Sequence, residues 1–441
     1  MGSMRVLLVQ PKVTAEPAYP LALAGMIPLL HGAGHTVAGV DLQFDSIEVL
    51  RSTMGRFRPD WVGATAMHHN AADVGSWMDP LTRSDQVQTF VAGALPTLDP
   101  AGALARTGAQ FAVAGVAEET VADLIDAVDP AATPGVVVRQ DGVLRSAQPR
   151  IPSPLSMLPL PDRDVFAVER YSYAMRSTAV PYAAVTTSRG CLRFCPYCPV
   201  PAMRPAGFDA RPPDQVILEW RMLVRDHGVR SIHIEDDSFL ADPGRVRALC
   251  RLLSSAPLEA NWELVNGVRP DQVTEPLLHE MAAAGCSRIV FSFEHITALH
   301  PPAVGQPIPI ALAAVQAARA AELRVGGYFI VGLPGIDLAA TVGSIRAAIG
   351  LGLDDLNFVP FYESPGSAYA HAASSVDAST LPHWLASRLA RAGQLAFFAG
   401  PRALKRLSAD MIHTPGTAPA LAAKAVEVVF GSGPIPLRDT N

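Results

Sequence analysis

Three cysteines close together supply the strongest chemical signal in the sequence. Cys191, Cys195 and Cys198 stand in the order C-x3-C-x2-C, and thiolates are soft ligands suited to zinc or to iron–sulfur clusters. Structural zinc takes four protein ligands, and the next histidine along the chain, His227, lies far outside this stretch. Three ligands therefore favour an iron–sulfur cluster in which one iron is left open to another ligand.

The other two cysteines suggest a different role. Cys250 lies in a helical pattern, and Cys286 stands just before a predicted strand. We interpret both as small core residues, because isolated cysteines usually pack like other apolar side chains. A total of five cysteines, an odd number, also argues against a disulfide framework.

Acidic and polar side chains collect at the carboxyl ends of several predicted strands. They are Glu235, Asp236, Asp237, Asn266, Glu294, Tyr328 and Glu363. In a barrel of alternating strands and helices, these ends hold the active site. Each residue alone is a weak signal, since acidic residues at strand ends often cap the next helix. We interpret Tyr328, Glu363 and Asp237 as catalytic candidates.

Together these motifs resemble the radical S-adenosylmethionine (SAM) superfamily. The resemblance rests on the cysteine spacing, with an aromatic residue before the last cysteine, and covers about residues 180–365. It implies a [4Fe–4S] cluster that binds SAM at its open iron and cleaves it to a 5′-deoxyadenosyl radical. It also implies contacts with the SAM amino group at the end of the second barrel strand, with the ribose at Glu294 and with the adenine near Gly332. The implied cofactor-binding residues are Tyr197, Glu235, Asp236, Asn266, Glu294 and Gly332.

Alternating strands and helices must position these residues. Between about 180 and 365, six predicted strands alternate with helices and indicate a partial or full β/α barrel. Before residue 138, five predicted strands alternate with helices and indicate a doubly wound, Rossmann-like parallel sheet. A proline-rich linker separates the two patterns. We therefore predict an α/β protein with domains at residues 4–150 and 165–370, and a helical C-terminal region at 371–441.

The first segment resembles the B12-binding domain that precedes the barrel in one radical SAM subgroup. Tyr19-Pro20-Leu21 and Gly32-Ala33-Gly34-His35 carry this resemblance, although the D-x-H-x-x-G signature is missing. The turns after the fourth and fifth strands read Ala92-Gly93-Ala94-Leu95 and Gly115-Val116-Ala117-Glu118. Glycines at such turns let the backbone approach a large ligand. The side chains found here instead are expected to crowd a corrin ring, so cobalamin binding stays open.

Two reactions are compatible with this pair of domains. Our main hypothesis is dehydration or deoxygenation of an amino sugar or cyclitol in natural-product biosynthesis, similar to the diol-dehydrating radical SAM enzymes of aminoglycoside pathways. It is favoured by the crowded glycine turns, by the polar strand ends and by a chain that looks short for a complete cobalamin methylase. The alternative is a cobalamin-dependent radical SAM C-methyltransferase.

Composition and net charge limit the kinds of binding partner that we expect. The net charge is −6, so no overall basic field points to nucleic acid. No apolar run approaches the roughly 20 residues that a membrane span requires. We expect a cytoplasmic enzyme that takes a polar small-molecule substrate and receives electrons from a donor such as flavodoxin or ferredoxin.

Overall fold

The chain forms two compact units, each built around its own parallel sheet. The computed structural model describes residues 2–12, 17–84, 86–140, 142–171, 179–204, 207–297, 304–371, 381–401, 403 and 405. The first unit comprises Met1–Tyr171 with Ala202–Ala206, and the second comprises Ser172–Pro201 with Gly207–Asn441. The domain limits proposed from the sequence remain predictions, because compact units and evolutionary domains need not coincide.

The first unit alternates strands and helices along most of its length. Its strands are β1 (Arg5–Gln10), β2 (Thr36–Asp41), β3 (Trp61–Thr65), β4 (Gln88–Ala92), β5 (Phe111–Val113), β6 (Val136–Gln140) and β7 (Val143–Ser146). Its helices are α1 (Leu21–Gly32), α2 (Ile47–Phe57), α3 (Ala71–Arg83), α4 (Ala94–Leu98), α5 (Pro100–Thr107) and α6 (Ala117–Asp126).

The first sheet has the strand order β2-β1-β3-β4-β5-β6-β7. Strands β1 to β5 pair in parallel, which confirms the predicted doubly wound arrangement. The four residues from Val6 to Val9 are fully buried, as expected for a strand covered by helices on both faces. Strands β6 and β7 add an antiparallel hairpin. The sequence did not predict β7, because all four of its residues are exposed and give no hydrophobic pattern.

The second unit contains the remaining elements. Its strands are β8 (Tyr182–Val185), β9 (Ser188–Arg189), β10 (Asp209–Ala210), β11 (Ser231–Ile234), β12 (Asn261–Val268), β13 (Cys286–Glu294), β14 (Ile296–Thr297), β15 (Gln306–Pro307), β16 (Arg324–Val331) and β17 (Asp355–Pro360). Its larger helices are α8 (Pro213–His227), α9 (Pro243–Ser255), α10 (Glu275–Ala283), α11 (Ile308–Ala320), α12 (Leu338–Gly350) and α14 (His383–Phe398). There are also two single-turn helices, α7 (Val200–Met203), whose last two residues are counted with the first unit, and α13 (Ala368–His371).

Six of these strands form one parallel sheet in chain order, β8-β11-β12-β13-β16-β17. Strands β8 and β17 lie at its two edges, so the predicted β/α barrel is present in its partial form. Side-chain caps start the helices that follow the strands. For example, Asp242 accepts a hydrogen bond from the Arg245 amide at 3.0 Å, and Asp337 accepts one from the Ala340 amide at 2.7 Å. This regular alternation brings the carboxyl ends of all six strands to one edge.

The C-terminal region is helical over α13 and α14, as predicted, and the predicted tail beyond residue 405 lies outside the described residues. Across the residues that the structure describes, no helix is long and apolar enough to cross a membrane. Cys250 and Cys286 are both buried in the second unit, in agreement with the core role assigned to them.

Candidate active site

A short ribbon closes the loop that carries the three clustered cysteines. Strands β9 and β10 pair in antiparallel fashion, with Arg189 opposite Asp209, so both ends of the loop are joined. Gly190 follows β9 with φ of +80°, and a Cβ at this position would lie 1.9 Å from the Gly207 carbonyl oxygen. Only glycine allows this backbone conformation and this close approach together.

All three loop cysteines are free and partly exposed. The Cys198 amide donates to the Cys195 carbonyl at 3.0 Å, which makes the C-x2-C segment a turn. Burial raises the pKa of the Cys198 thiol to about 11, so binding a metal must displace its proton. Among the described residues, no three His, Cys, Asp or Glu side chains converge tightly enough for a single metal ion. The donor set of three thiols on one accessible loop fits an iron–sulfur cluster.

Asp236 joins the first two strands of the sheet beneath this loop. Its carboxylate accepts hydrogen bonds of 2.6 Å from the Thr187 amide, the Thr187 hydroxyl and the Ser188 hydroxyl. Burial raises the pKa of Asp236, and those three donors oppose the rise. Its carbonyl oxygen accepts from the Asn266 side chain at 3.0 Å. Asp236 therefore fixes the start of the loop, and its predicted contact with SAM stays a prediction.

The two acidic neighbours of Asp236 differ in their surroundings. Asp237 accepts a 2.8 Å hydrogen bond from the Gly190 amide, directly before the first clustered cysteine. Glu235 is exposed at the end of β11. The contact of Asp237 favours a positioning role for this residue, which the sequence suggested as a catalytic group.

Glu294 lies against the cysteine loop through Tyr197. Tyr197 hydrogen-bonds the Glu294 carboxyl, and the Arg269 guanidinium lies nearby. Removal from water raises the pKa of Glu294 to about 7, against the effects of Tyr197 and Arg269. Glu294 also has a left-handed backbone with φ of +59°, a conformation that is costly outside glycine and tends to occur at functional sites. The structure thus brings two predicted cofactor-binding residues together.

A pocket opens beside Cys191. It is lined by Cys191, Arg193, Asp237, Ser238, Phe239, Leu240, Gly267, Val268, Arg269 and Gln272. Arg193 and Arg269 both pair with Asp271, each at 3.1 Å, so two guanidinium groups share one carboxylate. Asp237, in the pocket lining, is a second carboxylate, so the two guanidinium groups are balanced by two acidic groups next to the cysteine loop.

Several of these pocket residues were not predicted from the sequence. Gly267 has φ of +89°, and a Cβ there would lie 2.1 Å from the Ser292 hydroxyl oxygen. The Asn266-Gly267 dipeptide is a recognised turn signal and could have marked this position. Arg193 lies inside the cysteine motif and gives no separate signal of its own.

The remaining predicted residues lie around the same sheet edge or beyond it. The Tyr328 hydroxyl donates to the Val265 carbonyl at 2.8 Å, which ties β16 to β12. Gly332 follows β16 with φ of +84°, and a Cβ there would lie 2.8 Å from the Cβ of Ala386 in α14. Glu363 is exposed on the loop after β17. Catalytic roles for Tyr328 and Glu363 remain predictions.

The first unit has a candidate ligand edge of its own. In the strand order β2-β1-β3, the order of the strands reverses between β1 and β3. Sheets of this kind bind ligands at such a switch point, outside the carboxyl ends of the strands. There the Thr65 hydroxyl donates to the Gln10 side chain at 3.2 Å. Gly93 and Gly115, which follow β4 and β5, both have positive φ, at +109° and +80°.

The expected crowding of these glycine turns is not found. Leu95 is 2% exposed and packs in the core of the first unit, away from the ligand edge. Nothing lies within 4 Å of a Cβ built on Gly115. Thr97 links the two turns, since its hydroxyl donates to the Gly93 carbonyl at 2.7 Å and accepts from the Gly115 amide at 3.0 Å. The turn after β5 is therefore open at Gly115, whereas a Cβ on Gly93 would lie 3.2 Å from the Ala66 carbonyl oxygen.

A cysteine loop on a partial β/α barrel, preceded by a doubly wound domain with an open glycine turn, defines an iron–sulfur enzyme with a second cofactor-binding domain. The Radical SAM superfamily model matches residues 185–347, and the B12 binding domain model matches residues 13–125. The chain thus has a radical SAM domain and an N-terminal B12-binding domain.

Several methyltransferases resemble this chain. The uncharacterized methyltransferase PH0819 of Pyrococcus horikoshii is 24% identical over 83% of this chain and 82% of its own length. Cytidylyl-2-hydroxyethylphosphonate methyltransferase of Streptomyces wedmorensis is 25% identical, but the match covers 41% of this chain and only 35% of that protein. Both relatives are thus named methyltransferases, but the match to the second covers less than half of either protein.

The solved structure of the radical SAM methyltransferase TsrM from Kitasatospora setae, with tryptophan and a SAM analogue, has the same fold. Its TM-score is 0.69 at 18% identity, covering 86% of this chain and 78% of TsrM. A second TsrM structure, with cobalamin and a [4Fe–4S] cluster, gives a TM-score of 0.68.

These comparisons correct the main hypothesis drawn from the sequence. Dehydration or deoxygenation of an amino sugar or cyclitol is wrong as the main function, since PH0819, the phosphonate enzyme and TsrM are all named methyltransferases. One of the reasons given for it also fails, because Leu95 lies in the core of the first unit and does not crowd the turn after β4.

Proposed function

We propose that this radical SAM enzyme is a cobalamin-dependent methyltransferase that acts on a polar small molecule. The observation that carries the proposal is the pairing of a B12-binding domain with a radical SAM domain in a chain that resembles methyltransferases along most of its length. The alternative named from the sequence thereby becomes the main proposal.

Two sets of residues suit the two metal cofactors. Cys191, Cys195 and Cys198 offer three thiolates to a [4Fe–4S] cluster, and a pocket opens directly beside Cys191. The open turn at Gly115 suits a corrin at the edge of the first unit. When bound, the cluster and the cobalamin supply electron transfer and methyl transfer, respectively.

The residues of the chain bind and orient these groups. The Glu294 carboxylate is suited to accept hydrogen bonds from the SAM ribose, because it is held beside the cysteine loop by Tyr197. Arg193 and Arg269 line the pocket, and their guanidinium groups suit a carboxylate there. Asp236 and Asp237 hold the loop that must carry the cluster, through Thr187, Ser188 and Gly190.

Product analysis tests the proposal. The protein is reconstituted without oxygen with iron, sulfide and hydroxocobalamin, then supplied with reductant and SAM labelled at its methyl group. A panel of polar small molecules, including tryptophan because TsrM was solved with it, serves as acceptors. We expect S-adenosylhomocysteine and a labelled methylated product, both dependent on cobalamin.

Two controls make the result decisive. Protein reconstituted without cobalamin should give neither product, and the Cys195→Ala variant should behave like unreconstituted protein. Formation of 5′-deoxyadenosine without any S-adenosylhomocysteine, across the whole panel, would contradict methyl transfer.

A further inference from the structure

Four charged side chains form a largely buried cluster on one face of the second sheet. We define the inner-face cluster as Glu263, Arg288, Arg324 and Asp355, which belong to β12, β13, β16 and β17. Arg288 lies 2.6 Å from Asp355 and 3.6 Å from Glu263. The Arg324 guanidinium also lies 3.6 Å from Asp355. The Ser231 hydroxyl of β11 donates to Glu263 at 2.9 Å, so the cluster links five of the six strands.

The cluster points away from the helices that cover the sheet. A Cβ built on Gly393 of α14 would lie 2.9 Å from the Phe358 ring, so Phe358 faces the helices. Asp355 stands three residues earlier on β17, and successive side chains of a strand point to opposite faces. Asn357, on the same face as Asp355, pairs with Tyr328. The cluster therefore shares the inner face of the barrel with this candidate site residue.

A glycine lets the cluster pass across a strand. Strand β16 lies between β13 and β17 in the sheet, so the Arg288–Asp355 pair joins two strands that are not neighbours. Gly326 of β16 pairs with Asp355, and a Cβ there would lie 2.7 Å from an Asp355 carboxylate oxygen. Any side chain at position 326 would push this carboxylate away from Arg288.

Stability alone is a weak reason for such a cluster. Arg288 is 1% exposed and Glu263 is 0% exposed. Removing charges from water can cost more than their attraction returns, and apolar replacements are often neutral or stabilising. An ion pair nevertheless fixes the distance between two particular groups, whereas apolar side chains can repack. Because β8 and β17 form the two edges of the sheet, contacts on the inner face are in a position to set its curvature.

We propose that the Arg288–Asp355 pair is a positioning contact, which holds the curvature of the open barrel and thereby spaces the strand ends around SAM. Both residues lie near the amino ends of their strands, so they act on SAM only through the opposite ends. One of these ends is Glu294, the last residue of β13 and a predicted SAM contact. The proposal rests on SAM binding by the radical SAM domain and not on methyl transfer. SAM affinity therefore tests it, while product analysis tests the proposed function.

Two substitutions at Asp355 provide the main test. Asp355→Asn and Asp355→Leu have similar volumes and both remove the charge, but only Asp355→Asn keeps an oxygen that accepts a hydrogen bond from Arg288. Cluster-loaded protein is titrated with SAM by calorimetry, without any methyl acceptor. We expect Asp355→Leu to raise the dissociation constant for SAM roughly tenfold, the effect of losing about one hydrogen bond, and Asp355→Asn to raise it less than about threefold.

Two further variants separate position from charge and from stability. Gly326→Ala keeps all four charges but places a Cβ against Asp355, and should also raise the dissociation constant for SAM roughly tenfold. The control is Glu280→Leu, which removes the partner of Arg247 at 3.3 Å between α9 and α10 of the same unit. It should leave the affinity for SAM unchanged. Urea unfolding and iron analysis of every variant show whether the protein is folded and loaded.

Three outcomes would overturn the proposal. Equal dissociation constants for SAM in Asp355→Leu and the unaltered protein would exclude a positioning contact. Equal weakening in Asp355→Asn and Asp355→Leu would assign the effect to the lost charge alone. A similar loss in Glu280→Leu would show that SAM affinity only follows stability. If Asp355→Leu does not fold or lacks iron, Gly326→Ala decides, and an unchanged affinity for SAM in that variant would reject the proposal.

Discussion

The five thiols of the chain divide into three on one partly exposed loop and two in the core. Cys195→Ala should remove the visible absorbance and the electron paramagnetic resonance signal of the reconstituted cluster, since two thiolates cannot replace three. Cys250→Ala is the matched control and should keep the cluster, because Cys250 is buried in α9. A cluster that survives in Cys195→Ala would contradict the assignment of the iron ligands.

The ionisation of Glu294 predicts how SAM binding depends on pH. Its pKa is raised to about 7, so the side chain is neutral below that pH and charged above it. A carboxylate accepts hydrogen bonds from ribose hydroxyls more strongly than a neutral acid does. The dissociation constant for SAM should therefore fall as the pH rises through about 7, which calorimetry at several pH values measures.

Two variants separate Glu294 from other titrating groups. Glu294→Gln should bind SAM roughly tenfold more weakly at high pH and lose the pH dependence. Tyr197→Phe removes a hydrogen bond that lowers the pKa of Glu294, so the midpoint should move to higher pH. An unchanged slope in Glu294→Gln would place the titration elsewhere. The raised pKa of Glu294 also affects the stability of the protein. It stabilises the folded state at low pH, and that contribution is lost as the pH rises through about 7.

At the level of elements, the β9–β10 ribbon depends on a close backbone approach at Gly190. Gly190→Ala should destabilise the protein by about 1–3 kcal/mol and lower the iron content, because its Cβ would meet the Gly207 carbonyl oxygen. Gly207→Ala is the control, since Gly207 has the same φ of +80° but nothing within 4 Å of its Cβ position. Urea unfolding and iron analysis of both variants measure the difference. Equal losses in both would mean that backbone strain alone, and not the contact, matters.

The order of elements was predictable, but the direction of side chains was not. Strands such as β1 are apolar on both faces, so composition alone marks them, and the cysteine motif is local in sequence. Leu95, in contrast, stands beside a glycine turn, and only the start of α4 turns it into the core. The hydrogen bond from the Tyr328 hydroxyl to the Val265 carbonyl likewise has no signal in the sequence.

For the whole molecule, the central question is whether the chain takes up cobalamin. Gly115→Leu should abolish hydroxocobalamin binding, because Gly115 lies at the ligand edge with open space before it. Gly142→Leu is matched to it, since Gly142 also has a positive φ and open space but lies in the β6–β7 hairpin. Absorbance of the bound corrinoid after gel filtration measures the outcome. Equal binding by both variants would contradict a site at this edge.

The wrong prediction of a dehydration reaction also has its cause at the scale of the whole molecule. Radical SAM chemistry follows from three cysteines and a handful of strand ends, but methylation and dehydration share those residues. The deciding information lay in the likeness of the chain to a methyltransferase over most of its length. Such a likeness is not encoded in a short motif.

The β9–β10 ribbon also bears on how the cysteine loop can vary in length. Its pairing joins the two ends of the loop, with Arg189 opposite Asp209. The entropic cost of closing a flexible loop grows only with the logarithm of its length. Insertions after Cys198 should therefore be tolerated far better than insertions between the cysteines, whose spacing decides which thiols can reach one cluster.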